Sequence, residues 1–141
     1  MRRNLVKRLQ RLDAVAIESP LTGIGIPDVE YIGGWLECKW LRTWPKRAET
    51  HPVKFSHPLS AAQMVWLARR CRRGGIAMCV VQVSKSWFFF DGIRIKTLWD
   101  QMTRPEMIEE AELYFPNGLR SAPLLEFLRQ KSRSSAMRND F

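Results

Sequence analysis

The sequence has few cysteines, too few acids to balance its bases, no internal repeat and no long apolar run. No stretch approaches the roughly 20 apolar residues that span a bilayer, so a membrane-embedded chain is not expected. The basic opening Met1-Arg2-Arg3-Asn4-Leu5 is not followed by a long apolar stretch, so a secretory leader is not expected either. The 3 cysteines, Cys38, Cys71 and Cys79, are an odd number without paired spacing. That excludes a disulfide scaffold and a zinc knuckle and points to a reducing compartment. Against 23 Lys plus Arg there are only 14 Asp plus Glu, for a formal net charge of +9. Glu106, Glu109, Glu110 and Glu112 fall in one short segment, so the rest of the chain is more basic still. Such an excess favours a polyanionic partner, most simply nucleic acid. A ribosome-like or merely solvated basic surface carries the same charge, and composition does not separate them.

What is present is globular. With 141 residues and 45% hydrophobic content, the chain is expected to form one domain over 1–130, followed by a polar, frayed tail over 131–141. Leu5, Leu9 and Leu12 predict an amphipathic helix over 5–15. Ile24, Ile26, Val29 and Tyr31 predict an extended segment, Gly33-Gly34 a turn, and Trp35 to Trp40 a second strand. Residues 42–58 are polar and proline-punctuated, a long loop. Ser60 with Gln63 forms a capping box, and Ala61, Met64, Leu67, Ala68 and Cys71 form one apolar stripe, so a helix is predicted to Arg73, stopped by Gly74-Gly75. The apolar run Ile76 to Val83 reads as a strand covered on both faces, with Trp87 to Phe90 as its hairpin partner. A helix is predicted over 95–102. Thr103 with Glu106 caps an acidic helix, and Ser121 and Pro123 start a short last one.

The segment Gly25-Ile26-Pro27-Asp28 to Glu37-Cys38-Lys39 carries the chemistry. Alternation points Glu37 and Lys39 to one face of their strand and Cys38 to the other. Asp28 lies on the strand before it, so two carboxylates and an ammonium meet at one end of a small sheet. A close carboxylate pair repels itself unless something positive lies between. Mg²⁺ is the natural occupant, because it takes oxygen ligands and is usually bound by one or two carboxylates plus substrate phosphate. Lys39 then holds the attacking water or stabilises charge on the phosphate. Each residue also has a plainer reading: Asp28 as a turn acid, Pro27 as an edge-strand proline, Glu37 and Lys39 as a surface pair.

Pro27-Asp28 followed by Glu37-Cys38-Lys39 resembles the PD-(D/E)xK nuclease superfamily. The order of an extended segment, a turn, a second strand and a basic helix is similar to that family's α-β-β-β-α-β core. The resemblance implies an α/β, restriction-endonuclease-like fold with a small mixed central sheet flanked by helices. It is strongest to the small phage and archaeal-type Holliday junction resolvases and to VRR-NUC-like nucleases, and it covers residues 18–83. Those families carry a Glu upstream of the Gly-x-Pro-Asp segment, matched by Glu18, and a Gln on the following helix, matched by Gln63. The resemblance implies metal ligation by Glu18, Asp28, Glu37 and the Cys38 carbonyl, with Asp28, Glu37, Lys39, Glu18 and Gln63 as the catalytic set. Pro20 departs from the pattern by shortening the helix that presents the upstream Glu. Gln63 is equally explained by its capping box.

The implied activity is Mg²⁺-dependent hydrolysis of DNA, with Mn²⁺ substituting, at four-way junctions. The alternatives are a nuclease for ends, flaps or nicks, and a non-catalytic nucleic-acid-binding protein that retains the fold. Lys46, Arg47, Lys54, Arg69, Arg70, Arg72 and Arg73 are the candidate DNA contacts. Four arginines within 69–73 exceed what a helix C-terminus needs. His51, His57 and Ser19 are weaker candidates. Symmetric cutting of a four-way junction implies a homodimer; Trp87 to Phe90, Trp99 and Leu124 to Leu128 either offer apolar surface for it or complete the core of a monomer. A cytoplasmic location, in a bacterium or a phage-infected cell, is expected.

Overall fold

The computed structural model describes residues 1–17 and 25–139, with side chains to residue 136. The chain runs α1 (Arg2–Arg8), a 3₁₀ turn (Gln10–Leu12), β1 (Val15–Ala16), β2 (Val29–Tyr31), β3 (Gly34–Leu41), α2 (Ala61–Arg72), β4 (Ala77–Val83), β5 (Ser86–Asp91), α3 (Ile95–Leu98), α4 (Arg104–Glu110), β6 (Leu113–Phe115) and α5 (Ser121–Asn139). The six strands form one sheet in sequence order. Among the described residues only β3 and β4 pair in parallel, from Trp35 opposite Ala77 to Leu41 opposite Val83. That parallel step needs a crossover, and the long loop plus α2 supplies it.

Helices cover both faces of the sheet. On one face, Leu5 of α1, Leu9 just after it, and Leu124, Leu125 and Leu128 of α5 pack on Val29, Leu36, Met78, Val80, Trp87 and Phe89. On the other, Trp66 and Leu67 of α2, Ile95 and Met107 pack on Ala77, Cys79, Val81, Phe88 and Phe90. A strand so covered must be apolar at both parities. β4 meets that condition with six of its seven residues buried, Gln82 excepted.

Several boundaries differ from expectation. The helix expected over 5–15 ends at Arg8, and Asp13 adopts a left-handed conformation (φ 52°) that turns the chain into β1. Asp tolerates that region better than most residues. The β2–β3 turn is Ile32-Gly33, since Tyr31 already pairs with Gly34. The helix expected over 95–102 stops at Leu98, and the buried Trp99 and Met102 follow it as irregular chain. β6 was not foreseen. The last helix runs from Ser121 to Asn139. Lys131 pairs there with Glu112 at 2.6 Å, and the buried Ser135 hydroxyl donates to the Gly74 carbonyl.

Trp87 to Phe90, Trp99 and Leu124 to Leu128 were expected to offer apolar surface for a second copy. Trp87, Phe88, Phe89, Phe90, Trp99, Leu124, Leu125 and Leu128 are instead buried within the chain. Their size explains this: aromatic rings on β5 fill the space between the sheet and its helices on both faces.

Candidate active site

The register of the first hairpin builds the site. Val29 pairs with Leu36, so Asp28, one residue before β2, lies opposite Glu37. The β2 ladder stops there, leaving the Cys38 N–H without a strand partner on that side. Asp28 Oδ2 accepts it at 2.9 Å. A side chain thus completes the ladder, and the same bond fixes the Asp28 carboxylate. Asp28 Oδ1 lies 3.8 Å from the Arg2 guanidinium of α1.

Glu37 stands in the middle of β3 and is only 2% exposed. Its Oε1 accepts from Gln63 Nε2 at 2.7 Å and lies 3.4 Å from Lys39 Nζ. Its Oε2 is buried and has no hydrogen-bond partner among the described residues. Burial pushes the Glu37 carboxyl up to about 8, the Asp28 carboxylate adds to the rise, and Lys39 opposes it. Desolvation outweighs the one ammonium that faces it. Cys38 points to the opposite face and packs against the core there, as alternation requires.

Gln63 reaches the site from the first turn of α2. The Ser60 hydroxyl accepts from Gln63 N at 3.1 Å, and Gln63 Oε1 accepts from Ser60 N at 2.9 Å, closing a capping box. The other end of the same amide, Nε2, is the donor to Glu37. One side chain therefore both closes the helix cap and contacts Glu37. Gly25 lets the Pro27-Asp28 segment lie against this turn. Its φ is +84°, and a Cβ there would fall 2.6 Å from the Ala62 carbonyl oxygen.

Glu18 and Ser19 lie outside the described residues. The residue before Glu18, Ile17, donates its N–H to the Asp28 carbonyl at 2.8 Å. Among the described residues no cluster of three or more His, Cys, Asp or Glu could hold a metal ion. Two carboxylates, one with an unpartnered buried oxygen, nevertheless fit a hard divalent cation that takes part of its shell from water or substrate.

The basic candidates separate into two groups. Lys46 and Arg47 are exposed on the loop between β3 and α2. Lys54 is exposed too, with its Nζ donating to the Asp100 carbonyl at 2.8 Å. Arg69, Arg70, Arg72 and Arg73 are exposed at the far end of α2. His51 and His57 are exposed on the loop, and His51 Nδ1 lies 2.8 Å from the Thr50 hydroxyl. The contact that sequence reasoning missed is Arg2 at Asp28. No local signal announces it, because it depends on how α1 docks.

A mixed sheet with helices on both faces, carrying its polar cluster on the hairpin before the crossover, is an α/β fold of the restriction-endonuclease-like kind. Among solved structures the chain is similar to Archaeoglobus fulgidus Hjc, a Holliday junction resolvase from an archaeal hyperthermophile. The TM-score is 0.52 at 18% sequence identity, over 90% of this chain and 97% of that one. No protein-family profile matches the sequence, and no curated protein matches it. Among the described residues no helix is long and apolar enough to cross a membrane.

Proposed function

We propose that this chain is a metal-dependent endonuclease that hydrolyses phosphodiester bonds in branched DNA, four-way junctions above all. The observation that carries the reading is the buried Glu37 carboxylate. It faces Asp28, keeps one oxygen without a partner among the described residues and has Lys39 and Gln63 on the other. A structural ion pair has no use for a second carboxylate and a free buried oxygen, whereas a cation-binding carboxylate does. The solved neighbour is a Holliday junction resolvase, which supports the choice of junctions.

Asp28, Glu37 and the Cys38 carbonyl would hold Mg²⁺, with Glu18 contributing and Mn²⁺ substituting. When bound, such an ion polarises the phosphoryl oxygen and acidifies a bound water. The chain's own residues do the rest. The Cys38 N–H fixes the Asp28 carboxylate. Gln63 fixes Glu37 Oε1 and anchors it to a rigid helix. Lys39 Nζ, on the same strand face, would hold the attacking water and offset charge developing on phosphorus. Lys46, Arg47, Lys54 and the arginines of α2 would hold the DNA backbone. Two symmetric cuts require two sites, so a two-fold dimer in the cytoplasm is part of the proposal.

The test is a labelled panel of four-way junction, flap, nicked duplex, linear duplex and single strand, incubated with Mg²⁺. Paired nicks placed symmetrically in the junction, from a protein that sediments as a dimer, are expected. A monomer that cuts duplex or flap ends as fast as junctions would transfer the same chemistry to an end- or flap-processing nuclease.

A further inference from the structure

The far end of α2 carries more than loose positive charge. Arg69, Arg70, Arg73 and Gly75 line a recess of about 450 Å³. The last carbonyls of α2 are already satisfied: Arg69 O by Arg73 N, Arg70 O by Gly75 N and Cys71 O by Gly74 N. The guanidiniums are therefore not needed to cap the helix. Among the described residues, none of Arg69, Arg70 and Arg73 has a carboxylate partner or a side-chain hydrogen bond. Arg70 is nonetheless held in place. Its guanidinium lies 4.5 Å from the Trp66 ring and 5.7 Å from the Trp35 ring, and the two indoles meet edge to face at 5.3 Å. Gly75 leaves room for the Arg70 stem, since a Cβ there would meet Arg70 Cγ and Cδ at 3.0 Å. A cation stacked on aromatic faces gives up little further freedom when it takes an anion.

A second cavity of about 370 Å³ has Arg72 and Arg73 on its wall, but also Asp91 and a Lys131 already paired with Glu112. The first recess, lined by arginine without any acid, is the better anion site. It also lies on the right face. Trp35 shares its β3 face with Glu37 and precedes it by two residues, about 7 Å along a strand. Two turns of α2 separate Gln63 from Arg70 and almost three separate it from Arg73, about 10 and 15 Å. Beside them on α2 lies a shallow groove lined by Ala61, Ala62, Val65, Trp66 and Arg69. Adjacent phosphates on one strand of duplex DNA lie about 7 Å apart, because the strand winds around the axis as it rises about 3.4 Å per step.

Resting on the nuclease reading above, we infer that the recess of Arg69, Arg70 and Arg73 is a built site for one backbone phosphodiester, about two phosphates from the cut bond. Arg70, preset by its two tryptophans, makes the central contact. The occupant is a doubly esterified phosphate carrying one negative charge, and the site sets which bond reaches Glu37 and Lys39.

The test neutralises substrate phosphates one at a time as methylphosphonates and measures binding of the full chain to a four-way junction across salt, with Ca²⁺ replacing Mg²⁺. One position about two phosphates from the cut is expected to lower the log–log salt slope by about 0.9. Arg70→Gln should lower it by the same amount, and the two together by no more, while other positions stay additive. Gly75→Ala keeps every charge but displaces Arg70, and should silence the same phosphate. Circular dichroism and melting confirm that each variant folds. DNA binding with additive losses at every position, for both variants, overturns this site and leaves the nuclease reading standing. Absence of DNA binding altogether overturns both.

Discussion

Gln63 Nε2 donates to Glu37 Oε1 at 2.7 Å, tying the first turn of α2 to the middle of β3. The other end of the same amide accepts from Ser60 N and closes the helix cap. The element that starts the crossover therefore also aims the buried carboxylate. Gln63→Glu separates the two duties, because it keeps the capping oxygen and removes the donor. Helix content should be retained, and cleavage should fall about 10- to 100-fold, as for the loss of a hydrogen bond to a charged group worth about 1.5–3 kcal/mol. Unchanged turnover with a folded protein would reduce Gln63 to a capping residue.

Asp28→Asn, Glu37→Gln and Lys39→Ala should each lower cleavage by about 100-fold or more while leaving junction binding largely intact. None removes a contact with the apolar core, and each takes away one part of a unit whose members act together. Glu18→Gln is expected to act in the same direction. A single variant with near-wild-type turnover would withdraw that residue from the site.

Glu37 makes the stability of the metal-free protein depend on pH. Its carboxyl is pushed up to about 8 from an ordinary value of 4.5, first by burial. Between those values the native state binds the proton that the unfolded chain has released, so stability falls as pH rises from about 5 to 8. Glu37→Gln cannot ionise. It should flatten this slope and melt above the wild type at pH 8 by an amount worth a few kcal/mol. Metal affinity should rise over the same window, because the ligand must be deprotonated to bind. A wild-type melting temperature flat from pH 5 to 8 would contradict the burial of an ionisable Glu37.

Removing residues 131–141 should destabilise the protein by roughly 1–3 kcal/mol. The truncation deletes the Lys131–Glu112 pair and the bond from the buried Ser135 hydroxyl to Gly74. Denaturant melts of the two lengths check this, and equal midpoints would show that the end of α5 contributes nothing.

What the sequence made legible was local. The β2–β3 turn is short, and strand alternation then forces Asp28, Glu37 and Lys39 together, so the cluster followed from spacing alone. The start of α2 was written in Ser60 and Gln63, its end in Gly74-Gly75, and β4 in its continuous apolar run. What could not be read was tertiary. β6 has only three residues and pairs with the β5 edge through Trp87, Phe88 and Phe89, a partner that no short-range pattern names. The end of α5 looks like a solvated tail because its few anchoring contacts are polar and lie far away in sequence. The aromatic residues of β5 could line a surface or fill a core with equal ease until the helices on both faces are in place. Arg2 meets Asp28 only through the docking of α1.

The central claim is that Glu37 and Asp28 serve a divalent cation in phosphodiester hydrolysis. The most direct measurement is single-turnover cleavage of a labelled four-way junction by the intact protein with Mg²⁺, Mn²⁺, Ca²⁺ or excess EDTA. Expected are paired nicks with Mg²⁺ and Mn²⁺, junction binding without turnover in Ca²⁺, and no cleavage in EDTA. Full cleavage in excess EDTA would contradict it.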